Sequence, residues 1–97
     1  MNIRLTPEAE LDVIEIEAYY LKLSPYLAQH FFEELMDHLD LISGSPNAGI
    51  KIRKGFRRFQ MSKFPYSIIY EFDQDGVIVV HIVHDKRHPK TKLKRIK

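Results

Sequence analysis

Apolar and polar positions repeat with a helical period between residues 6 and 44, where two helix-start signals occur. Thr6-Pro7 combines an N-cap residue with a proline at the first helical position, and Ser24-Pro25 repeats that combination. We therefore predict one helix that ends near Leu23 and a second that ends at Ser43-Gly44. A turn of one or two residues joins them, which predicts an antiparallel helical hairpin.

The first predicted helix carries two apolar stripes on nearly opposite sides, although a surface helix needs only one. One stripe consists of Ala9, Val13, Ile16, Tyr20 and Leu23. The other consists of Leu11, Ile14, Ala18 and Leu21. This second stripe has two interpretations. It packs on the second helix while the first stripe packs on a sheet, or it forms a groove for a partner.

The period changes to that of strands in the second half of the chain. Besides a short alternating segment at Asn2–Leu5, the strand-like segments are Phe56–Phe64, Tyr66–Phe72 and Val77–Val83. The last of these is β-branched almost throughout, which is typical of a buried central strand. The order β-α-α-β-β-β predicts an α+β fold in which the helical hairpin packs on an antiparallel sheet. We expect one domain over residues 1–97, with a basic tail at 86–97.

Composition and charge narrow the classes of function. The 97 residues include no cysteine, which excludes a disulfide scaffold, a thiol nucleophile and a cysteine-based metal site. No apolar run approaches the length of a membrane span. Residues 1–48 carry a net charge of −7, whereas residues 49–97 carry +9. Such a division favours a basic surface for an acidic protein or a nucleic acid; the alternative is that the opposite charges attract each other within the fold.

Several segments, taken in order, resemble those of one family. They are TPEAELDVIEIEAYY, SPYLAQHFFEEL, the SPNAG loop, GFRRF, KFPYSIIYEF and VIVVHIVHDKRHP. Their order and spacing resemble the RelE/ParE superfamily of toxins from bacterial type II toxin–antitoxin systems. The ending H-x-x-R-x-P, from His84 to Pro89, looks more like ParE than RelE.

The resemblance implies a RelE/ParE-like fold and a cytoplasmic protein that arrests growth until a cognate antitoxin neutralises it. ParE-like members inhibit DNA gyrase and serve in plasmid stabilization, whereas RelE-like members cut mRNA on the ribosome. We expect the ParE-like mode, gyrase inhibition through surface binding, in a toxin–antitoxin hetero-oligomer without cofactor or metal. A ribosome-dependent mRNA endonuclease and an inactive remnant of the family are the alternatives. The resemblance also implies an antitoxin with a disordered acidic tail, which suits the basic half of the chain.

Metal-independent RNA cleavage would need a base, an acid and cations around the phosphate. The candidates are His84, which titrates near neutrality, with Glu71 as its partner and Arg57 as the cation. Nuclease members of the superfamily carry a tyrosine close to the C-terminus. This chain has no aromatic residue after Phe72, which disfavours the nuclease.

Two binding surfaces complete the expectations. The target-binding basic surface comprises Lys51, Arg53, Lys54, Arg57, Arg58, Lys63, Lys86 and Arg87. The antitoxin-binding surface is the second stripe of the first helix, from Leu11 to Leu21. Arg57 is interpreted as lying on the open face of the sheet, facing phosphate or an acidic protein. A structural ion pair with an acid of the helical half is the alternative for Arg57 and Arg58.

Overall fold

The computed structural model describes residues 1–86, so the predicted basic tail, apart from Lys86, lies outside the described residues. Seven helices and strands follow one another in the described chain: β1 (Ile3–Leu5), α1 (Pro7–Leu23), α2 (Pro25–Gly44), β2 (Ile50–Lys51), β3 (Arg57–Gln60), β4 (Tyr66–Asp73) and β5 (Gly76–His84). Two short 3₁₀ turns, Pro46–Ala48 and Arg53–Gly55, flank β2.

Both helices begin and end where the sequence predicts, because their start signals are local. The Thr6 hydroxyl accepts a hydrogen bond from the backbone N–H of Ala9, and the Ser24 hydroxyl accepts one from that of Tyr26. Ser24 is the only residue between the helices, and its own N–H donates to the carbonyl of Tyr20. The hairpin turn is therefore as tight as predicted.

The sheet has the order β1-β5-β4-β3-β2 and is antiparallel except at one edge. There β1 runs parallel to β5, so the sheet is mixed. The Thr6 N–H donates to the carbonyl of Val79, which holds the end of β1 alongside β5. Neither this parallel pairing nor the two-residue strand β2 follows from the local pattern.

The predicted strand Phe56–Phe64 is shorter in the structure, because the chain turns after Gln60. The carboxylate of Glu34 on α2 accepts hydrogen bonds from the backbone N–H groups of Ser62 and Lys63, at 2.7 and 3.1 Å. This contact fixes the β3–β4 turn against the helical hairpin and ends the strand.

The helical hairpin packs on one face of the sheet, which confirms the predicted α+β fold class. Buried side chains of α1, α2, β4 and β5 share one core: Ala9, Val13, Ile16, Phe31, Leu35, Leu39, Ile42, Ile68, Tyr70, Val77, Val79 and Ile82. The first stripe of α1 therefore faces the sheet, although its last member, Leu23, is exposed. Neither helix of the described chain has the length and apolar character that a membrane crossing needs.

Strand β5 contains a bulge at Val80, because Ile69 pairs with His81 while the adjacent Tyr70 pairs with Val79. The Thr6 hydroxyl lies 3.2 Å from the carbonyl oxygen of Val80, to which it donates. The N-terminal end of α1 is thus attached directly to the bulge.

Candidate functional site

The second stripe of α1 is exposed and does not pack on α2. The side chains of Leu11, Ile14 and Leu21 retain 55%, 61% and 57% of their surface, and Ala18 is also exposed. The described chain therefore leaves an apolar helix face uncovered. Contiguous exposed apolar surface of this kind is typical of an interaction site.

This stripe forms one wall of a groove of about 510 Å³ between the two helices. Its lining comprises Ile14, Glu17, Ala18 and Leu21 of α1 with Ala28, Gln29 and Phe32 of α2. Two alanines lie among larger apolar side chains, so the groove has room for bulky side chains of another molecule. The exposed side chain of Met36 lies one helical turn beyond Phe32 and extends the apolar surface along α2.

The groove lies in the acidic half of the molecule. Between Pro7 and Gly44, nine carboxylates accompany a single basic residue, Lys22. Glu17 lines the groove itself, and Glu15 and Glu33 are exposed on the helices that form its walls. The groove therefore combines an apolar lining with a negatively charged rim.

A compact basic hairpin lies at the far edge of the sheet, between β2 and β3. The backbone N–H of Ile52 donates to the carbonyl of Phe56, which closes the loop. Lys54 and Gly55 both adopt positive φ, at 60° and 81°, so the chain reverses within a few residues. This turn presents Lys51, Arg53 and Lys54 as exposed side chains.

Arg57 points toward the helical side of the sheet, so its interpretation as an open-face residue is wrong. It pairs with Tyr70, a core residue, and directly paired residues share a face. Its guanidinium donates to the carbonyl of Gly49 at 2.8 Å and to the Asn47 side chain at 3.1 Å. It also lies over the ring of Phe72, at 5.7 Å from the centroid. These partners hold the Pro46–Gly49 loop rather than a substrate.

Arg58 lies on the opposite face of the sheet, away from the helices. Its Nε donates to the hydroxyl of Ser67 and its Nη2 to the carboxylate of Asp85, both at 2.9 Å. Gln60 also donates to Asp85, at 3.2 Å. Arg58 therefore forms an ion pair, as the alternative interpretation predicts. Its acid, Asp85, belongs to the segment after β5 and not to the helical half.

The three candidate nuclease residues do not meet. His84 pairs with Tyr66 and lies on the helical face, where its ring contacts that of Tyr66. Glu71 is exposed on the opposite face of the sheet. It lies five residues beyond Tyr66 along β4, or about 16 Å at the usual rise per residue. Arg57 lies on the same face as His84, but its partner on β4 is Tyr70. Tyr70 is four residues from Tyr66, the partner of His84. The structure thus separates the proposed base, acid and cation.

The Nδ1 atom of His84 already accepts a hydrogen bond from the backbone N–H of Lys86, at 3.1 Å. A neutral His84 therefore carries its proton on Nε2. The one basic nitrogen of this neutral ring is thus already engaged as a hydrogen-bond acceptor, which disfavours His84 as a general base.

Among the described residues, Lys63 and Lys86 do not join the hairpin in one continuous basic surface. Lys63 is exposed in the β3–β4 turn and Lys86 at the end of β5, whereas Lys51 pairs at the opposite end of β3. Arg87 lies outside the described residues. Within residues 1–86, no group of three His, Asp or Glu side chains is placed to hold a metal ion.

The buried side chain of Tyr70 anchors the loop next to the basic hairpin, a role that the sequence does not predict. The Tyr70 hydroxyl donates to the carbonyl of Pro46 at 2.7 Å and accepts from the N–H of Gly49 at 2.8 Å. Burial raises the pKa of Tyr70 above its ordinary value, against smaller lowering effects of the Gly49 hydrogen bond and the Arg57 charge. The signal in the sequence is only a tyrosine on the core side of an alternating strand.

The same arrangement of helical hairpin and sheet occurs in a solved toxin–antitoxin structure. The match is to the chromosomal ParDE TA system from P. aeruginosa, with a TM-score of 0.76 and 18% sequence identity. It covers 87% of this chain and 95% of the matched chain. At this identity the likeness establishes the fold alone.

The family follows from the sequence itself. Residues 3–89 match the model of the ParE toxin of the type II toxin–antitoxin system, parDE. The chain therefore belongs to the ParE toxin family, which confirms the resemblance that its segments indicate. No curated protein matches the sequence.

Proposed function

We propose that this protein is a growth-arresting toxin that acts in the cytoplasm by binding DNA gyrase through its surface. The observation that carries the proposal is the separation of His84, Glu71 and Arg57, joined to membership of the ParE toxin family. A binding inhibitor needs no assembled acid–base pair, whereas an RNA-cleaving enzyme does.

The exposed basic hairpin is the target-binding surface in this proposal. Lys51, Arg53 and Lys54 protrude from a closed turn, so they reach an acidic surface of a partner without a change in the fold. Charge complementarity of this kind accelerates encounter and fixes the orientation of the partner.

The apolar groove between α1 and α2 is the antitoxin-binding surface. Leu11, Ile14, Ala18 and Leu21 are exposed along one helix face, which matches the spacing that binds an amphipathic helix. An antitoxin bound there forms the toxin–antitoxin hetero-oligomer.

The test combines two reactions with the purified full chain. In the first, gyrase, ATP and relaxed plasmid are incubated with increasing toxin, and we expect supercoiling to stop. In the second, a coupled translation reaction with one reporter mRNA is analysed by primer extension, and we expect intact mRNA. Ribosome-dependent cuts at codon spacing, with undisturbed gyrase, would overturn the proposal in favour of the endonuclease. Inactivity in both reactions and in a growth assay would indicate an inactive remnant.

A further inference from the structure

The groove between α1 and α2 has a charge pattern that restricts what occupies it. Glu17 lines the groove itself, and the helices that form its walls also carry Glu10 and Glu15 on α1 and Asp40 on α2. Glu33 of α2 lines a separate cavity, together with His38 and Lys63. Of these acids, all but Glu17 are exposed, and Glu17 is partly so. A segment bound in the groove therefore lies within a Debye length of several negative charges.

Helical geometry places these acids directly beside the apolar positions. Glu10 and Glu17 each lie four residues before an exposed apolar residue, Ile14 and Leu21 respectively, so each acid neighbours an apolar side chain on the helix surface. On α2, Asp40 lies four residues after Met36 in the same way.

We propose that the groove binds a helical segment of about three turns whose apolar anchors are flanked by lysine or arginine. The stripe from Leu11 to Leu21 extends over ten residues, or about 15 Å along the helix axis, which sets the length. The apolar lining requires anchors at helical spacing, and the acidic rim requires positive charges beside them.

This inference rests on the proposed antitoxin-binding role of the groove and specifies the chemistry of the segment bound there. An acidic tail is repelled by the rim, so it binds the basic hairpin at Lys51–Lys54 instead. The helical hairpin of a second copy would bring the same negative charge to the groove, which disfavours it as the occupant.

The probes are three fluorescein-labelled helical peptides of 14 residues. One carries leucines at i, i+3, i+7 and i+10 with flanking lysines, the second has glutamates in place of the lysines, and the third has alanines in place of the leucines. Binding to the full chain is measured by fluorescence anisotropy. Only the binding that Ala18→Phe abolishes is counted as groove binding, because the added ring occupies the groove. Ala48→Phe, at an exposed alanine outside the helical hairpin, is the matched control.

We expect the leucine–lysine peptide to bind at least tenfold more tightly than either other peptide in low salt. Glu17→Lys should reduce this preference, whereas Asp75→Lys, the same charge change in the β4–β5 turn, should leave it intact. The preference should also shrink in 0.5 M salt. Equal binding of the lysine and glutamate peptides, equal binding of the alanine peptide, or no binding at all would overturn the inference.

The outcome is independent of the gyrase reaction. A chain that inhibits gyrase but shows no preference for the leucine–lysine peptide retains its proposed function and loses only this inference. A chain that shows the preference and leaves gyrase active retains the groove chemistry and loses the proposed target.

Discussion

Asp12 and His81 are separated by 69 positions in the sequence and joined by a buried hydrogen bond of 3.1 Å. The same carboxylate oxygen of Asp12 accepts a second bond, at 3.0 Å, from the backbone N–H of Ile82. Both partners follow the bulge at Val80, where strand pairing shifts by one residue. Helix α1 thus satisfies polar groups of β5 at this irregularity, which fixes the position of the helix on the sheet.

Removal of this carboxylate should destabilise the fold more than removal of any exposed acid of α1. Asp12→Ala leaves a buried N–H and a buried imidazole without their acceptor, which costs about 3 kcal/mol of unfolding free energy. Asp12→Asn keeps an acceptor oxygen and should cost less. Urea denaturation measures both, with Glu15→Ala as an exposed control. An equal loss for Asp12→Ala and Glu15→Ala would contradict the structural role.

Tyr70 should be essential for the order of the loop that precedes the basic hairpin. Tyr70→Phe removes its bonds to the carbonyl of Pro46 and the N–H of Gly49, at a cost of about 1–3 kcal/mol. Gly49→Ala should destabilise too, because an added Cβ would lie 2.7 Å from the Tyr70 hydroxyl oxygen. Thermal unfolding measures both changes, with Gly44→Ala as control because its Cβ meets nothing within 4 Å.

The raised pKa of Tyr70 predicts a loss of stability at alkaline pH. The unfolded chain ionises this tyrosine near its ordinary pKa of 10.0, whereas the folded chain retains the proton to higher pH. The stability is therefore fully present below pH 10 and decreases as pH rises through the folded pKa. The free energy of unfolding should fall more steeply for the wild type than for Tyr70→Phe between pH 9 and 11. Parallel profiles for the two proteins would show that Tyr70 is not the group responsible.

The parts of the fold that could be predicted from sequence depend on neighbouring residues. Thr6-Pro7 and Ser24-Pro25 determine where the helices begin, and both signals are complete within a few positions. The alternation in β4 likewise predicts which of its side chains face the core, including Tyr70. Because these rules are local, the sequence is sufficient to predict the α+β fold class.

Features that depend on register between distant segments could not be predicted. The bulge at Val80 depends on how β4 pairs with β5, and its contact with Asp12 joins residues far apart in sequence. Arg57 and Arg58 look equivalent in sequence, yet one bonds Gly49 and the other Asp85. Only the pairing of Arg57 with Tyr70 determines which face each arginine occupies.

The charge of the basic hairpin should determine the potency of gyrase inhibition. Arg53 is exposed at the turn, so Arg53→Glu replaces an attraction to an acidic partner surface by a repulsion without disturbing the core. We expect the toxin concentration for half-inhibition of supercoiling to rise about tenfold, and further for the double variant with Lys51→Glu. Lys22→Glu makes the same charge change on α1, and its half-inhibition concentration should equal that of the wild type.

A structural role and a binding role for Arg53 give different results in this experiment. If the substitution acts through charge, the gap between wild type and Arg53→Glu narrows in higher salt, because exposed charges are screened. Arg53→Lys should retain most of the inhibition, since it preserves the charge. If Arg53→Glu and Lys22→Glu weaken inhibition equally, the effect belongs to the net charge of the molecule and the basic hairpin is not the gyrase-binding surface.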